Sequence, residues 1–210
     1  MKEVFNNYLN DKIKFDKWQI IGIACLIIVI SGIFGFVYEF IFYYFNGGMV
    51  KFYMQGGNFL PWINIYAIGS CMIILLTYNL KKNPFLVFII SFFSTGLLEY
   101  FSGLLIYDLL NGTRYWDYNV EILNFGNIDG FVCLRSVLFF GISALFLMYC
   151  ILPFCIYLSK KMSKKKFLIF SICLCSLFLF DELYNLILCK ILNTPSAIDI
   201  YKSLGFEYVE

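Results

Sequence analysis

Glu39, Glu99, Asp108, Asp181 and Glu182 stand inside, or at the ends of, runs that are otherwise apolar. A carboxylate in hydrocarbon costs about 2.5–3.5 kcal/mol even on insertion scales, so each needs a partner, a proton or a task. Carboxylates brought together can serve as general acid and base, hold a divalent cation, or line a polar path for a solute. Arg135, near the start of a later apolar run, is the cation placed to meet them. The chain contains no histidine, which removes the usual general base and the usual zinc ligand. Chemistry would therefore rest on carboxylates and hydroxyls, and no cofactor or metal motif is read. The eight cysteines fall almost wholly in hydrophobic runs without a Cys-x-x-Cys pair, and they read as small packing residues.

Glu39, Glu99, Arg135, Asp181 and Glu182 form the candidate polar site. A second group is aromatic. Trp62 and Tyr66 follow a Gly-Gly-Asn turn, and Trp116, Asp117 and Tyr118 lie in the longest polar interval of the chain, 111–130. They are candidate contacts from outer loops, although Trp and Tyr also serve as anchors at the membrane–water interface.

The elements that must position these residues are transmembrane helices. The 210 residues are 61% hydrophobic, 21% aromatic and 14% charged, which is a membrane-protein composition. The runs predict an all-α polytopic bundle of about five helices, at 18–45, 62–79, 85–110, 131–158 and 167–192. A basic cytoplasmic segment, 1–17, precedes them, and a short polar tail, 193–210, with little power to fold alone follows. The first run is too long for a signal-peptide core and has no small-residue cleavage site. Pro61 is placed to open the second helix, where its missing amide is not needed.

Orientation follows from lysine and arginine. Five spans put residues 1–17, the Lys81-Lys82 turn and the 160–166 loop on one side, where eleven of the sixteen basic residues collect. That side is expected to be cytoplasmic. The acids then fall in the outer halves of their helices, so the polar machinery would open outward. The lysine loop reads as an orientation signal facing anionic lipid, and no nucleic-acid partner is implied. Gly32, Gly35 and Glu39 share one helix face; Thr95, Gly96, Glu99, Ser102 and Gly103 share another. Small residues on such faces let a neighbouring helix approach, and the acid then sits at that contact. Asp108, nine residues after Glu99, points the other way and suits a helix end.

These segments resemble the bacterial membrane family named Putative ABC-transporter type IV. The resemblance rests on Gly35 and Glu39, on Pro61-Trp62-Ile63, Ile65-Tyr66 and Gly69, and on Glu99-Tyr100 with Ser102-Gly103. It continues through Trp116-Asp117-Tyr118, Asn127, Gly130 and Gly141, and covers roughly 32–141. Asn64, Ala67 and Phe131 depart from the family pattern, as in a divergent member. The resemblance implies a multi-pass permease of the bacterial cell membrane. The chain has no Gly-x-x-x-x-Gly-Lys-[Ser/Thr] loop, so an ATPase would be a separate polypeptide.

Three functions compete. The first is a transport-related, permease-like subunit with an outward-facing carboxylate site. The second is a membrane-embedded enzyme acting on an outer-leaflet lipid or lipid-linked substrate; the missing histidine and nucleophile motif count against it. The third is a non-catalytic partner or sensor of another membrane subunit.

Overall fold

The computed structural model describes residues 1–47, 57–109, 112, 114 and 116–206. Lys51, Gly56, Leu110, Asn111 and Tyr115, which enter the turn, charges, helix and loop discussed above, lie outside the described residues. Among the described residues the chain is all-α, with seven helices. They are α1 (Lys2–Leu9), α2 (Lys17–Gly47), α3 (Asn64–Thr77), α4 (Pro84–Leu109), α5 (Leu134–Lys161), α6 (Lys164–Ile191) and α7 (Ala197–Ser203). Four of them, α2, α4, α5 and α6, are long and apolar enough to cross a membrane. The apolar helix spanning Asn64–Leu80 is shorter: α3 tightens into a 3-10 turn over Tyr78–Leu80.

The solvent for which this bundle is built can be read from α4. Its buried face is Val87, Ser91, Thr95, Glu99 and Gly103, while Phe85, Phe93, Leu97, Phe101 and Leu105 are exposed. Small and polar residues inside with large apolar ones outside suit a surface facing lipid, where close helix packing replaces the hydrophobic drive. The small residues set the approach. A Cβ on Gly96 would meet Val137 at 2.8 Å, and one on Gly141 would meet Phe88 at 2.7 Å, so α4 and α5 pack backbone to side chain. α2 lies at the centre, against α3, α6 and the second half of α5.

Helix ends have local causes. Pro84 opens α4, and the Asn83 side chain accepts from the Leu86 amide at 3.2 Å. Pro153 lacks the amide that would bond the Tyr149 carbonyl, and the residues before it, Leu147–Ile151, form a π-turn within α5. α3 begins at Asn64, so Pro61 and Trp62 remain outside it. Ile63 is extended, and its amide donates to the Gly32 carbonyl of α2 at 3.0 Å. α5 begins at Leu134 because Val132 pairs with Ile128 in an isolated antiparallel bridge. α6 begins at Lys164, which makes the last three lysines of the 160–166 loop its first turn.

Both ends of the chain are more folded than their polarity suggests. α1 docks on the far end of α5 with Tyr8 buried, and burial together with Tyr78 pushes the Tyr8 phenol up. Just beyond it, Asp11 pairs with Lys81 at 2.5 Å and Lys82 at 2.7 Å. Lys81 is only 2% exposed and lies over the rings of Tyr78 and Tyr8, at 4.0 and 5.4 Å. In the tail, Ser196 and Asp199 form a capping box that starts α7. The Ser196 bonds hold the Asp199 carboxyl below its ordinary value. The Tyr201 hydroxyl then donates to the Phe59 carbonyl at 2.7 Å.

Candidate functional site

The five residues of the candidate polar site divide into two clusters. The first is built around Glu99, on the buried face of α4 and 6% exposed. Its Oε2 is 2.7 Å from Ser136 Oγ in the first turn of α5. Its Oε1 accepts from the Tyr118 hydroxyl, which reaches in from the loop between α4 and α5. Burial, and then the Glu99 charge, hold that phenol well above its usual range, so Tyr118 remains a donor. Ser136 Oγ also lies 2.8 Å from the Cys133 carbonyl, giving its single proton two possible acceptors.

Glu39 enters the same region from α2, with the Tyr66 hydroxyl of α3 as its hydrogen-bonding partner. This contact depends on a glycine. A Cβ at Gly35 would run into the Tyr66 ring. Arg135, expected to meet a membrane carboxylate, lies 5.3 Å from the Tyr118 ring but forms its direct ion pair with a loop acid. It pairs with Glu121 of the loop at 2.5 Å, donates to the Ile122 carbonyl at 2.8 Å, and lies over the ring of Phe42 at 4.3 Å. Tyr43 of α2 donates to the other Glu121 oxygen at 3.1 Å. Four helices and the loop between α4 and α5 thus meet here, and among the described residues neither Glu99 nor Glu39 forms an ion pair with a lysine or arginine.

The loop that supplies Tyr118 is folded by its own polar groups. The Tyr118 amide donates to the Gly130 carbonyl at 3.0 Å, and Trp116 Nε1 donates to the Phe131 carbonyl at 2.9 Å. Asp117 accepts from the Asn119 amide at 3.0 Å, an Asx turn. Gly130 has φ +77°, and a Cβ there would strike Asn119, Asp117 and Arg114. Trp116 and Asp117 therefore hold the loop's shape, while Tyr118 alone of the three points into the cluster.

The second cluster is made by Asp181 and Glu182 on α6. Asp181 Oδ1 accepts from the Phe59 amide at 3.0 Å and from Asn185 Nδ2 at 2.8 Å, and Oδ2 accepts from the Leu60 amide at 2.9 Å. Glu182 accepts from Asn58 Nδ2 at 2.7 Å and from Asn64 Nδ2 at 3.0 Å. These acids fasten the segment ahead of α3 to α6. Trp62 belongs to this packing: it is 4% exposed, with its ring centroid 5.2 Å from that of Phe178 and its side chain against Gly32. Among the described residues its Nε1 is buried without a partner. Asp108 is exposed in the last turn of α4 and joins neither cluster.

Tyr43, Glu121, Ser136, Asn58 and Asn64 complete the two clusters and were not among the sequence candidates. Asn58 and Asn64 flank the Pro61-Trp62 pair, which is the signal that marks them. Glu121 and Ser136 carry no comparable mark. Among the described residues no three Cys, Asp or Glu side chains gather as a metal site would require.

Comparison with curated proteins and with solved structures finds no match. A family model does match, over residues 26–186, and this stretch contains both clusters and all four long apolar helices except the ends of the first and last. The chain is a membrane protein that belongs to the family described as Putative ABC-transporter type IV.

Proposed function

We propose that the chain is a permease-like subunit of a transport system, and that the Glu39–Glu99 cluster is its polar site. The observation that carries this reading is the partner set of Glu99. A buried carboxylate in a lipid-facing bundle is held by two hydroxyls, from Tyr118 and Ser136, and among the described residues it forms no direct ion pair, because the nearby Arg135 is paired with Glu121. Intramembrane carboxylates of this kind mark solute and ion paths. Positive-inside orientation puts the lysine-rich end in the cytoplasm and opens the cluster outward. ATP hydrolysis, where it drives transport, is supplied by a separate ATPase.

The test uses proteoliposomes of the purified chain, with and without any ATPase that co-purifies. They are incubated with a deproteinised cell extract, and their contents are read by mass spectrometry. A solute retained by wild-type vesicles and absent from empty ones is expected to be lost with Glu99→Gln. Unchanged retention by a stably folded Glu99→Gln variant would refute the assignment.

A second reading, an enzyme acting on an outer-leaflet lipid, draws support from one feature. A groove of about 370 Å³, lined by Tyr38, Ile41, Phe42, Phe45, Ile122 and Leu123, lies beside Arg135 and the Glu121 loop. Turnover of labelled lipid by the purified chain, lost with Glu99→Gln, would favour it over transport.

A further inference from the structure

We propose that the lysine-rich end of the bundle is a docking surface for the phosphate headgroups of anionic phospholipid in the adjacent leaflet. Three separate connections meet there. Asp11 ties the segment after α1 to Lys81 and Lys82, and Gln19 Nε2 donates to Ser159 Oγ at 3.3 Å. The Trp18 ring packs edge-on against Phe167 at 5.9 Å. Folding thus gathers Lys2, Lys12, Lys14 and Lys17 with Lys82 and with Lys160, Lys161, Lys164, Lys165 and Lys166, all of them exposed.

Little on this face offsets their charge. Glu3, Asp11 and Asp16 are its acids; Asp11 is taken by Lys81 and Lys82, and Asp16 accepts from Trp18 Nε1 at 3.0 Å. Among the described residues, Lys82 alone of these ten lysines forms an ion pair. Their height favours lipid over a soluble partner. Ile20 and Ile21, 56% and 52% exposed, begin the lipid-facing surface within a turn of Lys17, and Ile169 and Phe170 do so within a turn of Lys166. At about 1.5 Å per residue the ammonium groups stand at headgroup level beside the hydrocarbon. Each such lysine contributes roughly fivefold to affinity for an anionic surface, and salt weakens that attraction.

The full chain in mild detergent is titrated with phosphatidylglycerol or phosphatidylcholine, and bound lipid is counted by native mass spectrometry. Phosphatidylglycerol is expected to bind about tenfold more tightly, and the preference should shrink with added salt. Replacing Lys160, Lys161, Lys164, Lys165 and Lys166 together with Gln should remove most of that preference, replacing them with Arg should keep it, and Lys190→Gln should leave it intact. Equal affinity of the wild-type chain for the two lipids overturns the proposal, as does a preference that ignores salt. Displacement by inorganic phosphate at the lipid's own concentration would assign the face to soluble anions and overturn it equally. The wild-type comparison decides the matter even where the five-site glutamine variant fails to insert.

Discussion

Two pairs of carboxylates on apolar helices look alike in the sequence and differ in what they touch. Asp181 is held by the Phe59 and Leu60 backbone amides and by Asn185. Glu99 is held by the Tyr118 and Ser136 hydroxyls. A backbone amide can only donate, whereas a hydroxyl donates or accepts. The Asp181 clamp therefore works with one partner pattern, an acceptor facing fixed donors, and its product is the position of the loop ahead of α3. The Glu99 cluster can rearrange its protons while every heavy atom stays in place. A clamp and a working site are separated here by the chemistry of the partners, since Glu99, Asp181 and Glu182 are all buried.

The sharpest way to break this comparison is Asp181→Asn. The new amide nitrogen would face a backbone N–H, and one buried donor would be left without an acceptor. A loss of about 2–3 kcal/mol is expected. It would be read as a lowered melting temperature in detergent and faster hydrogen exchange at residues 59–63. An unchanged melting temperature would remove the clamp from the account.

Next in size is Gly35→Ala. The added methyl collides with the Tyr66 ring and pushes its hydroxyl away from Glu39, at about 1–3 kcal/mol for an overpacked contact. Hydrogen exchange should rise in α3 and leave residues 57–60 unaffected, because their anchors are on α6. Loosening of both regions together would mean that the two clusters act as one.

Glu99→Gln should cost the least stability of the three, about 1 kcal/mol or less. The Gln carbonyl accepts from Tyr118, its amide donates to Ser136 Oγ, and the Ser136 proton turns to the Cys133 carbonyl at 2.8 Å. A small loss of stability with a large loss of retained solute is the signature of a working group. A melting temperature as low as that of Asp181→Asn would erase the distinction between the clusters.

How much of this was legible in the residues follows from what each signal depends on. Glu99 and its small-residue face were visible because helical periodicity is local: Thr95, Gly96 and Gly103 fall at the right spacings by themselves. Gly32 and Gly35 were visible for the same reason. That Asp181 and Glu182 serve a different loop from Glu39 was not, because nothing in α6 records that Asn58 and Asn64, more than a hundred residues earlier, will come to meet them. That Arg135 would form its direct ion pair with a loop acid was not visible either, on similar grounds. Its partner Glu121 lies in an irregular loop whose path is set by Gly130, Asp117 and Asn119. The polar segment 1–17 hid a docked helix because its fold depends on Tyr8 and Asp11 finding α5 and the Lys81-Lys82 turn.

A third carboxylate tests the rule from outside the membrane. Asp11 is half-exposed, with Lys81 and Lys82 as its partners. Hydrogen bonds from Lys81 first, and then from Lys82, lower its pKa from 3.8 to about 2. A carboxyl whose folded value is depressed stabilises the folded state above its unfolded value and loses that contribution as pH falls through the folded one. Docking of α1 should therefore be constant from neutral pH to about 4 and weaken between about 4 and 2. Hydrogen exchange over residues 2–9, corrected for its intrinsic pH dependence, reads this directly. Asp11→Asn should bring the acid-range exchange to pH 7 at residues 2–9 while residues 59–63 and the Glu99 region keep their protection. Lys81 would retain its bond to the Tyr78 carbonyl at 3.3 Å and the two tyrosine rings, so the effect should be the smallest of the four. Protection of α1 untouched by Asp11→Asn would show that apolar packing around Tyr8 holds the helix without its ion pair, and protection already lost at pH 6 would show that a group other than Asp11 governs docking.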